Sequence, residues 1–298
     1  MAERTVKPRG ELLIDEPMSR HTTWRVGGAA KRFYRPADSA DLAGFLRQLP
    51  PEEPVLWLGL GSNLLVRDGG FNGTVIATQG RLEALVQVGA REIRAESGVA
   101  CAKVARFAAR SGLCGVEFLA GIPGTMGGAL AMNSGAFGSE TWDYVTRVET
   151  IDLSGTVRER QPGDFEIGYR RVRGVEGEWF LSCHLRLKVG DVAAAQRHIR
   201  ELLERRTASQ PTGMPSCGSV FRNPEGDYAA RLIEAAGLKG LRLGGACVSE
   251  KHANFILNEG GASAADIEGL MERVRAEVER SSGIRLEHEV RVVGEAEL

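Results

Sequence analysis

Glycine placement constrains this chain more than any other feature. Of its 38 glycines, 13 fall in two stretches, five in residues 59–73 and eight in residues 112–138. Neither stretch has a Gly-X-Y period, and the chain around them is 43% apolar and 26% charged, which excludes collagen and low-complexity linker. The second stretch is apolar and almost uncharged. An exposed loop describes it poorly, and a buried backbone of this kind needs partners for its amides. A large, flat, phosphate-bearing ligand would supply them.

Length and charge narrow the classes further. A chain of 298 residues suggests one large domain or two to three smaller ones. Thirty-eight Lys and Arg against 39 Asp and Glu give a formal net charge of −1, which removes the electrostatic argument for bulk nucleic-acid or membrane binding. Any anionic ligand must be held by a local site. Cys101, Cys114, Cys183, Cys217 and Cys247 are odd in number and lack Cys-x-x-Cys spacing, so they read as reduced thiols of a cytoplasmic protein rather than disulfide or zinc ligands. None of the five histidines has metal-ligand spacing, and no metal is expected. The first nine residues carry no apolar segment, and no run nears the ~18 apolar residues of a membrane span.

The pattern of elements predicts an α+β fold with segregated strands and helices rather than a doubly wound sheet. A helix is expected from the cap Asp38 or Ser39, with Leu42, Phe45 and Leu46 inward, and it must stop before Pro50. Strands are expected at 55–58, 74–77, 145–152, 156–159 and 179–188. Further helices are expected at 99–111, from Asp191 to about Arg206, at 228–236 and at 263–280, the last opened by a Ser263/Asp266 capping box. Residues 284–293 alternate and read as one strand, with Leu286, His288 and Val290 on one face and Glu287, Glu289 and Arg291 on the other.

Gly59-Leu60-Gly61-Ser62-Asn63-Leu64 follows a strand. A Rossmann reading fails because the third glycine of the fingerprint falls at Leu64 and a strand-like stretch follows instead of a helix. No Gly-Lys dipeptide offers a P-loop. A tight glycine turn still exposes successive amides that cradle a diphosphate. The alternative for this segment is a plain strand-connecting turn.

Seven segments in order carry a more specific signal. They are His21 to Gly28, the two glycine stretches with Ile122-Pro123-Gly124-Thr125 and Met132-Asn133-Ser134-Gly135, Gly168-Tyr169-Arg170, Ser216 to Pro224, Ser249 to Asn254, and Leu286 to Arg291. Together they resemble bacterial UDP-N-acetylenolpyruvoylglucosamine reductases over residues 20 to 293. The resemblance implies a vanillyl-alcohol-oxidase-type FAD region in two subdomains, residues 15–80 and 81–205, and a substrate domain at 206–298. It implies non-covalent FAD, NADPH as hydride donor, and reduction of the enolpyruvyl ether of UDP-N-acetylglucosamine to UDP-N-acetylmuramate in peptidoglycan precursor synthesis. Gly59, Leu60, Gly61, Ser62, Asn63, Leu64, Ile122, Pro123, Gly124, Thr125, Gly127, Gly128, Met132, Asn133 and Gly135 would then line the flavin. Only 49 positions separate Arg170 from Ser219, and residues 179–210 contain no tyrosine. This is the pattern of the shorter subtype, which lacks the tyrosine-bearing insertion.

The resemblance assigns catalysis to Arg170, Ser219 and Glu289. Hydride addition to the vinyl carbon drives negative charge towards the neighbouring carboxylate, so fixed positive charge and an acid for the adjacent carbon are required. Arg170 suits the first need by bidentate pairing, and Ser219 is the implied proton donor. Glu289 is a second acid or an orienter. Their plain alternatives are a surface charge beside Arg171 and Arg173, a turn hydroxyl, and a solvated strand face shared with Glu287. Cys217 invites a nucleophile reading, but no step here needs a thiolate. Tyr169, Arg206, Arg222, Asn223, His252 and Arg291 are candidates for the uridine diphosphate sugar. Two other classes stay open: a covalent flavin oxidase tethered through His21 or His252, and a non-catalytic regulator that binds a nucleotide sugar or flavin.

Overall fold

Asp38 opens helix α1 (Ser39–Leu46) by accepting a hydrogen bond from Asp41 N at 2.8 Å, and Leu42, Phe45 and Leu46 are buried as the spacing requires. Past its end the chain enters strand Val55–Leu58, which pairs in parallel with Phe71–Ala77. These two complete a four-stranded sheet in the order Glu11–Pro17, Ala29–Arg35, Phe71–Ala77, Val55–Leu58. The computed structural model describes residues 7–297. They group into two units that interleave along the chain: the first holds the residues up to Leu13 with Arg32–Leu60 and Gly73–Glu204. The second holds Ile14–Lys31, Gly61–Asn72 and the residues from Arg205 onward.

In the first unit a five-stranded antiparallel sheet runs in the order Val157–Arg160, Val145–Asp152, Glu178–Arg186, Glu92–Glu96, Leu85–Gly89. Ile93, Ala95, Val148, Cys183 and Leu185 belong to a core shared with Val104, Ala105 and Ala108 of α2 (Cys101–Arg110) and Met126, Ala129 and Leu130 of α3 (Met126–Met132). Side-chain pairs tie the strands as well: Arg94 reaches Glu149 across the intervening strand Glu178–Arg186, and His184 meets Glu92 on the adjacent one. Helix α4 (Val192–Ser209) starts at Asp191, whose carboxylate accepts from Ala194 N at 2.7 Å. It runs past the expected stop near Arg206 and ends just before Gln210 and Pro211, and Val192 is exposed although it shares the spacing of Ala195, Ile199 and Leu202.

The second unit packs α5 (Ala229–Ala235) and α6 (Ala264–Ser282) with a small sheet, Arg242–Leu243, Ala246–Val248, Ile256–Asn258. The Ser263/Asp266 capping box forms, and Gly283 closes the helix at φ +72°. Trp24 is fully buried in this core and donates its indole N–H to Ile256 O at 2.7 Å.

A further expectation is corrected. Residues 284–293 are not one strand; only Arg291–Val293 is regular, paired in parallel with Leu64–Val66. The preceding residues spend their backbone groups on the irregular segment around Val220, with a single bridge from Phe221 to His288, so the alternation of Leu286 and Val290 survives without a ladder. The 112–138 stretch is also more regular than its composition suggests, with a 3-10 turn at Glu117–Gly121 followed by α3. Two glycines weaken α3 by about 1 kcal/mol each. Burial of Met126, Ala129 and Leu130 offsets that cost.

Candidate active site

In the first unit, Gly59 ends its strand directly against Thr125, where any side chain at position 59 would overlap the Thr125 hydroxyl. The segment carrying Thr125 is pinned by backbone bonds: Cys101 N donates to Gly124 O at 2.9 Å, Met126 N to Val99 O at 2.8 Å, and Gly127 N to Ser97 O at 2.8 Å. A Cβ on Gly127 would lie only 2.9 Å from that of Ser97. Thr125 Oγ1 and Ser97 Oγ are buried and have no hydrogen-bond partner among the described residues. An orphaned buried hydroxyl costs about 1–3 kcal/mol, so two of them beside two close-packed glycines fit a polar cofactor that completes the set. The residues present therefore suit the phosphate-bearing flavin that the resemblance implies. Around them Ile122, Gly124, Met132 and Gly135 are half-buried, whereas Pro123 and Gly128 are exposed. Ser97 escaped the sequence reading because nothing but its place after a strand marks it.

Arg170 sits at a hairpin tip. Tyr169 and Arg170 form the two-residue turn between Glu166–Gly168 and Arg171–Arg173, and Arg170 adopts φ +51°, the left-handed region that normally favours glycine. Its guanidinium donates to Gly135 O at 2.7 Å and to Asn133 O at 3.3 Å, and lies 5.3 Å from the Tyr169 ring centre. Arg171 and Arg173 instead pair with Glu166. Arg170 is half-buried, whereas Arg171 and Arg173 are exposed. Tyr169 itself is exposed.

The second unit brings Ser219 and Glu289 together. Glu289 N donates to Val220 O at 2.8 Å, one residue from Ser219, and Asn63 Nδ2 holds Glu289 O at 3.0 Å. The Asn254 side chain brackets Phe221, accepting from its N–H at 2.9 Å and donating to its carbonyl at 2.8 Å, while Asn254 O takes Val220 N. Gly218, at φ +83°, supplies the sharp approach to Ser219. Glu289 is half-buried, whereas the Glu287 side chain is 78% exposed and only 3.6 Å from Arg222. The two carboxylates that alternation places on one face are separated by environment. Burial and the nearby Glu289 push the Cys217 thiol well above its ordinary range, which leaves it protonated and unsuited to nucleophilic work. Asn254 and the clamping role of Asn63 were not singled out from sequence, although both lie inside quoted motifs.

The remaining candidates of the second unit divide. Arg206 is half-buried, has no carboxylate partner among the described residues, and burial pulls its guanidinium below the ordinary value. Arg222 Nε and His252 Nδ1 are buried without hydrogen-bond partners among the described residues. Burial lowers the His252 imidazole, whose ring packs edge-on at 4.8 Å from Phe255. Asn223 already spends Oδ1 on Ala229 N at the start of α5, and Arg291 is exposed, with its N–H on Asn63 O. His21 pairs with Glu16 at 2.9 Å. Among the described residues no three His, Cys, Asp or Glu group to hold a metal, and no helix is long and apolar enough to cross a membrane.

Comparison with known proteins adds independent findings. Residues 210–293 match the family model of the UDP-N-acetylenolpyruvoylglucosamine reductase C-terminal domain, and residues 30–160 match that of an FAD binding domain. The chain is 61% identical over 296 residues to the UDP-N-acetylenolpyruvoylglucosamine reductase of Alkalilimnicola ehrlichii, covering 99% of each. It is 58% identical to that of Methylococcus capsulatus, covering 99% of this chain and 98% of the relative. The crystal structure of the Thermus caldophilus reductase superposes with a TM-score of 0.82 at 34% identity, over 95% of this chain and 98% of that one.

Proposed function

The chain belongs to the UDP-N-acetylenolpyruvoylglucosamine reductase family, and from that premise we propose how its own residues carry the reaction. It is an FAD-dependent oxidoreductase of α+β fold that uses NADPH to reduce UDP-N-acetylglucosamine enolpyruvate to UDP-N-acetylmuramate, a peptidoglycan precursor. FAD, when bound, would supply the hydride-transfer chemistry that links NADPH to the vinyl carbon. We assign residues 15–80 and 81–205 to the flavin and 206–298 to the substrate, with the FAD held non-covalently. Gly59 to Leu64, Ile122 to Met132 and Gly135 approach the cofactor through small residues and backbone amides, with Thr125 and Ser97 as hydroxyl partners.

Arg170 binds the substrate carboxylate and stabilises the charge that grows there, because a guanidinium stays ionised and pairs bidentately. Ser219 gives its hydroxyl proton to the carbon next to the one that received hydride. A serine serves as acid only against a strongly basic carbanion, so Ser219 needs a neighbour that orients it and restores its proton. Glu289 takes that part. The observation that carries this assignment is the backbone bond from Glu289 to Val220, which sets the carboxylate-bearing residue beside the serine-bearing segment. Arg206, Arg222 and His252 are half-buried, and the unpaired donors among them suit a diphosphate. Tyr169, Asn223 and Arg291 complete the substrate set, and the NADPH requirement with five free thiols supports a cytoplasmic setting.

Anaerobic spectroscopy tests the reading. Purified protein is expected to be yellow, to bleach with NADPH, and to regain its colour when the enolpyruvyl substrate is added. Flavin should pass to the supernatant on acid precipitation. A colourless protein that takes up no FAD would falsify the proposal.

A further inference from the structure

The side chain of Asn133 spends its hydrogen bonds inside the protein. Asn133 is 2% exposed and ends α3 in the left-handed conformation, φ +43°. Its Nδ2 donates to Glu140 Oε2 at 2.7 Å and to Gly168 O at 3.3 Å, and its Oδ1 accepts from Trp142 N at 3.2 Å. Both amide hydrogens are therefore spent inside the protein. The same residue offers its backbone carbonyl to Arg170 Nη1, and Gly135, two residues on, offers its own to Arg170 Nη2. Asn133 thus touches the Arg170 hairpin twice, at the Gly168 carbonyl that closes the turn and at the guanidinium itself.

We propose that Asn133, oriented by Glu140, is a positioning residue that fixes the Arg170 guanidinium for the substrate carboxylate. The proposal rests on the reading of Arg170 given above. Arg170 occupies a backbone conformation that resists a non-glycine residue, so its hairpin needs an external brace. The Glu140 carboxylate sets the amide of Asn133 with Nδ2 towards Gly168, because the reverse orientation would turn the carbonyl oxygen onto a carboxylate. The short hairpin of Gly135–Ala136 and Ser139–Glu140 then carries the Glu140 anchor and the Gly135 acceptor on one piece of backbone.

The test uses the full FAD-loaded protein and four variants: Asn133→Gly, Glu140→Gln, Arg170→Ala and the double change Asn133→Gly with Arg170→Ala. Glycine removes the amide without penalising the positive φ. FAD affinity, flavin reduction by NADPH and flavin reoxidation by the enolpyruvyl substrate are measured separately. Asn133→Gly is expected to slow reoxidation about tenfold, a change of ~1.4 kcal/mol, while FAD affinity and reduction by NADPH stay within twofold. In the Arg170→Ala background the same change should alter reoxidation by less than twofold. Glu140→Gln should slow reoxidation about threefold, and it carries the test should Asn133→Gly fail to fold; an unaltered rate there overturns the proposal. Full additivity of the two changes also overturns it. So does a tenfold loss of FAD affinity with both half-reactions slowed, since Asn133 would then serve the cofactor directly. Arg170→Ala with normal reoxidation removes the underlying reading of Arg170 and the proposal with it, an outcome visible in that single variant alone.

Discussion

The Arg170 hairpin and the Ser219/Glu289 segment hold the side chains proposed for catalysis by opposite means. The first is a regular antiparallel pair whose tip is forced into an unfavourable conformation, φ +51°, and braced by carbonyls. The second has almost no regular structure, yet its backbone is saturated with partners, Asn254 on Phe221, Asn63 on Glu289 and Glu289 on Val220. Regularity and rigidity are therefore separate properties. A hairpin with a strained turn residue needs outside support, and an irregular segment can satisfy its backbone groups through asparagine side chains in place of a sheet.

The sharpest way to break the comparison is at Ser219. Ser219→Ala should spare flavin reduction by NADPH and slow substrate reduction by about 10²- to 10⁴-fold, the usual worth of a general acid. Stopped-flow absorbance separates the two half-reactions, and equal rates in both would remove Ser219 from the chemistry. Next in size is Asn254→Ala, which strands the N–H and carbonyl of Phe221 in a core where Asn254 is 3% exposed. The expected loss is about 2–4 kcal/mol of stability, read by denaturant unfolding. A loss below about 0.5 kcal/mol would show that the irregular segment does not depend on its asparagine.

Arg170 offers a subtler contrast. Arg170→Gly and Arg170→Ala both delete the guanidinium, but only glycine relieves the positive φ, so the glycine variant should be the more stable by about 1 kcal/mol while both lose substrate reduction. Equal stabilities would mean the hairpin tip is unstrained. The smallest effect concerns Cys217, whose thiol is held protonated by burial and Glu289. At neutral pH a maleimide should label half-buried Cys114 and leave Cys217 untouched in the native protein. Mass spectrometry of labelled peptides reads the outcome.

What the sequence makes legible follows from how local each cause is. The starts of α1 and α6 were readable because Asp38 and Ser263 act on amides three residues away. The Glu287/Glu289 distinction was not, because alternation assigns a face and says nothing of what packs on it. Helix α3 was hidden because Gly127 and Gly128 carry low helix propensity, and the packing of Met126 and Leu130 that overrides it comes from strands distant in the chain. The clamps at Asn63, Asn133 and Asn254 lay in quoted motifs, where an asparagine in a functional segment invites a ligand role. Only coordinates show Asn133 and Asn254 spending their amides on the protein itself.

The interleaving of the second unit has a consequence for synthesis. Trp24 is anchored to Ile256, 232 positions later, and Leu64–Val66 waits for Arg291–Val293. A ribosome releasing the chain from its amino end delivers more than two hundred residues after each of these early segments before its partner arrives, so they wait without those native contacts. Glu289 belongs to that last portion too. A nascent chain stalled before residue 289 would carry the arginine and the serine and still lack both the closing strand and the third member of the proposed set.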